Sequence, residues 1–179
     1  RIHKTSATVT AALGRLLTAG AMMGSMLKNP EDSVTLRLSG GGPAGKFTVV
    51  ADGAGMVKGD VENPIVEIPL NNYGKLDVAG AVGKDGSLTV IRDLGFARPT
   101  IGSVPIVSGE IAEDVTYYYA VSEQVPTVCS LGVLVNPDLT VASAGGFLVQ
   151  LLPGADDSVI DRLEANINKL PAVSQMIAD

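Results

Sequence analysis

The sequence predicts an α+β fold in which one apolar helix, about residues 5–28, is enclosed between layers of largely antiparallel sheet. Three observations carry this. From Thr5 to Lys28 there is no proline, and the residues are apolar or small almost all the way round a helical cylinder. The segments that follow alternate apolar and polar residues with a period of two, separated by turns rich in Gly and Asp. Helical patterns return only twice after that, too rarely for the strand-helix alternation of a doubly wound sheet.

The totals set the class of partner. A chain of 179 residues with 46% hydrophobic content is long enough for one domain with a sizeable core. A formal charge of -6 and the lack of a Lys/Arg-rich stripe oppose attraction to nucleic acid phosphates. Aromatics at 4% and no Trp leave few stacking platforms for single strands. Cys129 is the single cysteine, which excludes an intrachain disulfide or a C-x-x-C pair and fits a reducing compartment. The chain opens on Arg1-Ile2-His3-Lys4 without an initiator Met, so native sequence is expected to precede it.

Thr5 and Ser6 are candidate N-caps for the first helix, and Lys28 precedes an Asn29-Pro30 stop. At about 100° per residue, Thr8, Arg15, Thr18 and Ser25 fall in one narrow stripe. Such a helix needs enclosure by lipid, by a signal-peptide pathway or by protein on both faces. Arg15 near its middle costs about 3 kcal/mol in a bilayer, and a long patterned domain follows, so protein is the enclosure chosen and no membrane partner is expected. Gly20-x-x-x-Gly24 matches a membrane dimer motif, but the same small residues let a strand approach a helix closely. Arg15 then needs an acidic or carbonyl partner that the sequence does not identify.

Val34, Leu36 and Leu38 mark a half-buried strand, and "KFTVVAD" (Lys46 to Asp52) a second. Between them "SGGGPAGKF" places Gly40, Gly45 and Lys46 at P-loop spacing. A P-loop needs Ser or Thr after its Lys and a helix facing the phosphates, whereas Phe47 and a strand stand there; the glycines are read as a hairpin turn. "LDVAGAVG" (Leu76 to Gly83), the Lys84-Asp85-Gly86 turn and "SLTVIRD" (Ser87 to Asp93) are read as another hairpin. Val104 to Gly109 is read as a short strand entering a helix capped by Ser108. Glu110, Glu113 and Asp114 complement that helix's dipole, Ile111, Val115 and Tyr118 form its apolar stripe, and Pro126 closes it. Val128 to Val135, an Asn136-Pro137-Asp138 turn and Gly146 to Leu152 supply a further antiparallel pair. The last helix runs from about Asp156 to Lys169.

No catalytic residue emerges. His3 lies at the chain edge and reads as solvated, Cys129 reads as a small buried hydrophobe, and the carboxylates Glu110/Glu113/Asp114 and Asp156/Asp157 read as helix-start groups. The run Tyr117-Tyr118-Tyr119 spans too wide an arc for one helical face, so at least one ring is expected to turn to solvent or another element. Metal-ligand clusters are absent from the sequence. The residues therefore favour a non-enzymatic domain; the alternative is an anion- or nucleotide-binding enzyme built on the Gly40 to Lys46 loop.

The segments "ALGRLLTAGAMMGSMLK", "LSGGGPAGKFTVVADGAGMVKG", "LTVIRDLG", "SGEIAEDVTYYYAVSEQVPT" and "AGGFLVQLLPGA", in this order, resemble the N-terminal core of the redox-regulated chaperone family Hsp33. The most specific pieces contain Ser122, Glu123, Gln124 and Pro126, and Gly145 and Gly146, which carry no chemistry of their own and are taken as structural. The resemblance implies a layered β/α/β core over residues 1–154, followed by an amphipathic helix and the start of a linker over 155–179. It implies an ATP-independent holdase that binds unfolding proteins under oxidative or heat stress and works as a homodimer in the bacterial cytoplasm. It also implies a C-terminal zinc domain with a C-x-C and a C-x-x-C, whose oxidation unfolds a linker covering apolar surface. None of those four cysteines is in this chain, so no metal or other cofactor is expected here, and which residues contact clients is not indicated. Asp60 stands where the family pattern often has Tyr.

Overall fold

A computed structural model describes residues 2–178 of the chain. Arg1, Asp179 and the side chain of Asp157 lie outside the described residues. In chain order the elements are α1 (Ala7–Ser25), β1 (Ser33–Ser39), β2 (Lys46–Asp52), β3 (Val57–Val61), α2 (Val78–Val82), β4 (Ser87–Asp93), β5 (Thr100–Pro105), α3 (Ala112–Tyr118), a π turn (Tyr119–Glu123), β6 (Thr127–Val135), β7 (Val141–Gln150), α4 (Asp157–Ile167) and α5 (Val173–Met176). One sheet has the order β3-β2-β1-β4-β5 and a second pairs β6 with β7, every pairing antiparallel.

Helix α1 lies between the two sheets, against β1, β2 and β3 on one side and β6 and β7 on the other. Glycines set the spacing. A Cβ on Gly20 would stand 2.6 Å from Val49 Cγ1, and one on Gly24 would stand 2.9 Å from both the Ala51 Cβ and the Asp52 carbonyl oxygen. Across the helix, a Cβ on Gly14 would meet Val133 of β6 at 3.0 Å. The Gly20-x-x-x-Gly24 pattern is thus a contact between helix and sheet. Val9, Leu13, Leu16, Ala19 and Met23 complete a core shared with Leu36, Leu38, Phe47 and Val49. Burying each larger side chain stabilises the fold by about 1.5–3 kcal/mol.

The polar groups at the start and middle of α1 find partners far along the chain, although the buried Arg15 Nε has none among the described residues. The Ser6 hydroxyl, at the N-cap position, turns away from the helix; it donates to the Val66 carbonyl at 2.8 Å and accepts from the Val66 N–H at 3.1 Å. Arg15 finds both kinds of partner the sequence called for on one residue: its guanidinium reaches the Glu110 carboxylate at 2.5 Å and the Glu110 carbonyl at 3.4 Å. The helix stops at Ser25, short of Lys28, and a turn closed by the Asp32 carboxylate on the Asn29 N–H follows.

Five expectations need correction. Leu76 to Gly83 is not a strand: Asp77 caps a short helix by accepting from the Gly80 N–H at 2.9 Å, and Val78, Ala81 and Val82 are buried at helical spacing. The strand at Val104 to Gly109 lies earlier, over Thr100–Pro105 at a sheet edge, where the missing N–H of Pro105 is tolerated. Ser108 does not cap α3. The fully buried Asp114 does, accepting from the Val107, Ser108 and Ile111 N–H groups at 2.8, 3.0 and 3.0 Å. These amides are thereby removed from any strand ladder, and Ile111 is held at φ 73°, a left-handed conformation that β-branched residues avoid. Glu110 precedes the helix and serves Arg15. Finally, β7 starts at Val141, five residues before the expected Gly146.

The glycine spacing yields a quantitative expectation. Gly24→Ala gains up to about 1 kcal/mol of helix propensity, yet its methyl collides with backbone that has no room to yield. Urea unfolding is expected to show a net loss of about 1–2 kcal/mol; a net gain would mean that α1 stands off from β2.

Candidate functional site

The glycine-rich loop is a clasp. The Gly42 N–H donates to the Val82 carbonyl at 2.9 Å, the Ala44 N–H to the Ala81 carbonyl at 3.0 Å, and the Lys46 N–H to the Glu62 carboxylate at 3.0 Å. A Cβ on Gly40 or Gly42 would lie 2.3 or 2.4 Å from the carbonyl oxygens of Gly83 and Ala81. A phosphate cradle needs these amides free, and here they fasten α2 to the β1–β2 connection with a carboxylate beside them. His3 sits with Nδ1 3.3 Å from the Asp60 carboxylate. Cys129 is buried on β6, where desolvation pushes its thiol up to about 12. Among the described residues no group of three or more His, Cys, Asp or Glu side chains is placed to hold a metal ion, so the side chains described do not fit a zinc site.

An apolar groove lies where α1 emerges from between the sheets. The groove, of about 550 Å³, is lined by Met23 of α1, Met26 and Leu27 just past its end, Val34 of β1, Leu94 and Phe96 beyond β4, and Tyr119, Val125 and Gln150 on the opposite wall. Two of its apolar side chains stand out to solvent, Phe96 at 73% and Met26 at 45% exposure. The polar groups at its margin are largely engaged with one another: Asp32 accepts from the Asn29 Nδ2 at 3.0 Å, and Arg92 meets Glu123 at 2.9 Å. A flatter apolar row, Val50, Ile91 and Ile101, crosses the solvent face of the larger sheet around Thr35. These groove residues were not singled out from the sequence. The signal available was the methionine cluster Met22, Met23, Met26; nothing in the sequence marks Phe96 as exposed.

Of the motif residues Glu123 lines this groove, and its neighbours shape the chain beside it. Ser122 and Glu123 end the π turn, and Gln124 follows at φ 56°, reversing the chain so that the Val125 N–H reaches the Tyr119 carbonyl at 3.0 Å. The Pro126 carbonyl accepts from the Leu151 N–H at 3.1 Å, and the Thr127 hydroxyl accepts from Gln150 Nε2 at 3.2 Å. Gly145 and Gly146 lie elsewhere, on opposite faces of β7: a Cβ on Gly145 would face Ile177, and one on Gly146 would meet the Ser130 carbonyl and Met22. In the tyrosine run, Tyr118 and Tyr119 are buried with rings edge to face at 5.5 Å, and Tyr117 is half-buried. Burial pushes the Tyr119 hydroxyl up to about 12; burial, then the hydrogen bond to Glu123, pushes Tyr118 higher still.

A family model described as Hsp33 protein matches residues 1–179. The chain belongs to the Hsp33 family. It is 50% identical over 177 residues to a 33 kDa chaperonin of Clostridium tetani, and 54% identical over 178 residues to one of Acetivibrio thermocellus; each match covers 99% of this chain and 60% of the relative. The crystal structure of the 33 kDa chaperonin of Thermotoga maritima, a heat shock protein 33 homolog, superposes with a TM-score of 0.92 at 44% identity, over 97% of this chain and 59% of that one. The chain thus spans about 60% of the length of the Hsp33 relatives it matches. The α+β architecture with a helix between antiparallel sheets is shared with that Hsp33 structure.

The buried hydroxyl and thiol give this Hsp33 core an alkaline limit. Because the folded-state values of Tyr119 and Cys129 are raised to about 12, their contribution is complete below the ordinary tyrosine and thiol range and is lost as pH climbs toward 12. Urea midpoints are expected to fall steadily from pH 8.5 to 11, and Cys129→Ala to flatten the lower part of that fall; a midpoint constant to pH 11 would contradict these values.

Proposed function

We propose that this chain is the client-holding core of an ATP-independent molecular chaperone, capturing partly unfolded proteins through apolar surface left open at the end of α1. The observation that carries this reading is the groove: a cavity of about 550 Å³ walled by Met, Leu, Val and Phe, with Phe96 and Met26 at its open rim. Holding a non-native chain calls for no bond chemistry. It calls for exposed apolar area able to fit many sequences, and each Å² of apolar surface withdrawn from water stabilises a complex by about 25 cal/mol before ordering costs. Methionine suits such a surface because its unbranched, polarizable side chain repacks around different partners.

The chaperonin names of the relatives support the same assignment. Action as a homodimer in the bacterial cytoplasm, and control by a zinc and cysteine unit in the whole protein, belong to this reading too. Cys129 does not supply that control: its thiol is sheltered and held protonated, which keeps it unreactive at neutral pH. Among the described residues no helix is long and apolar enough to cross a membrane.

Light scattering of a heat-aggregating client tests the proposal. The chain under reducing conditions is expected to suppress aggregation. A double variant, Met26→Ser with Phe96→Ser, is expected to need about tenfold more protein for the same suppression, corresponding to about 1.4 kcal/mol of lost affinity. Phe96 is largely exposed and Met26 nearly half exposed, so thermal stability should fall only slightly. Suppression undiminished in the double variant would place client binding elsewhere; no suppression at any excess would remove the holdase assignment.

A further inference from the structure

We infer that Glu123 is the positioning residue of the groove: its carboxylate holds the Tyr119–Glu123 π turn in register, and that register fixes where the wall carrying Tyr119 and Val125 stands.

A π turn is rare and normally marks a place where a helix is held out of its ordinary repeat. Here the holding groups are identifiable. The Tyr118 hydroxyl donates to Glu123 Oε1 across five residues, the separation of a π rather than an α turn. Arg92, reaching over from β4, meets the same oxygen at 2.9 Å, with its guanidinium 3.5 Å from the Tyr118 hydroxyl. Strand β5 makes room: a Cβ on Gly102 would lie 2.4 Å from the Ser122 hydroxyl and 2.9 Å from the Tyr118 ring. The turn then ends on Gln124 at φ 56°, a conformation that side-chain-bearing residues seldom adopt.

One carboxylate therefore offsets three unfavourable features: a helix in the wrong repeat, a left-handed glutamine and a tyrosine hydroxyl in a buried ring. Tyr119, the first residue of the turn, and Val125, two residues past its end, both line the groove. Without the carboxylate, α3 is free to continue in α register, which carries Tyr119 and Val125 away from Met23 and Leu27. Glu123, which is itself in the groove lining, thus also acts on bound chains through the turn. That last step rests on the groove being the binding surface, whereas the behaviour of the turn does not.

Hydrogen exchange on the full chain separates the two. In Glu123→Gln, amides from Tyr119 to Val125 are expected to exchange at least tenfold faster, with α1 and the larger sheet unchanged. Tyr118→Phe, which removes only the hydroxyl, is expected to give a smaller rise in the same segment and covers the case in which Glu123→Gln fails to fold. Arg92→Lys, which keeps the charge, should stay near the parent rate. The dye bis-ANS is expected to bind both accelerated variants at least threefold more weakly. Unaltered exchange over residues 119–125, or acceleration of every segment alike, would overturn the inference. So would a local acceleration with unchanged dye affinity, and that result would leave the holdase assignment untouched, because client aggregation reads it separately.

Discussion

The structure depends on the enclosure of α1 between two sheets. A helix apolar on nearly every side has no solvent face to offer, so both of its long faces must meet protein, and the approach is possible only because Gly20 and Gly24 present no side chain toward β2 and Gly14 presents none toward Val133. Close packing on both sides fixes the separation of the sheets. Where the helix runs out, that separation persists with less to fill it, and Met23, Met26 and Leu27 are left lining a groove.

The carboxylates around this core serve the backbone. Asp114 gathers three N–H groups ahead of α3, Asp77 caps α2, Asp32 closes the turn after α1, and Glu62 takes the amide of Lys46. Two others pair across elements, Glu110 with Arg15 and Glu123 with Arg92. The part-exposed ion pairs contribute modestly to stability. Their effect is positional, fixing how α3 and the π turn sit against α1, β4 and β5. Six of the 19 acidic residues are thus committed to holding backbone and neighbouring elements in place.

The enclosed helix was legible because its composition leaves no polar face, and the strands at Ser33–Ser39, Lys46–Asp52 and Ser87–Asp93 because their alternation is regular. Strand β3, with Lys58, Gly59 and Asp60 at its centre, lacks the apolar alternation and escaped notice. The Leu76 to Gly83 stretch fits a period of two as well as a helical one, and the capping Asp77 decided between them. The family motif could be located in the sequence but its task could not, since the partners of Glu123 lie on α3 and β4 and only the fold brings them together. The groove was the least legible part: a pattern that marks apolar residues does not separate Phe47, fully buried, from Phe96, mostly exposed.

The central claim is that non-native chains bind at the open end of α1. Photo-crosslinking tests it most directly, with a benzophenone side chain placed at Phe96, at Met26 or, as a control outside the groove lining, at exposed Tyr73. With a chemically unfolded client in solution, crosslinks are expected at residues 96 and 26 and not at 73. Crosslinking at 73 equal to that at 96, or none at either groove position while aggregation is still suppressed, would contradict it.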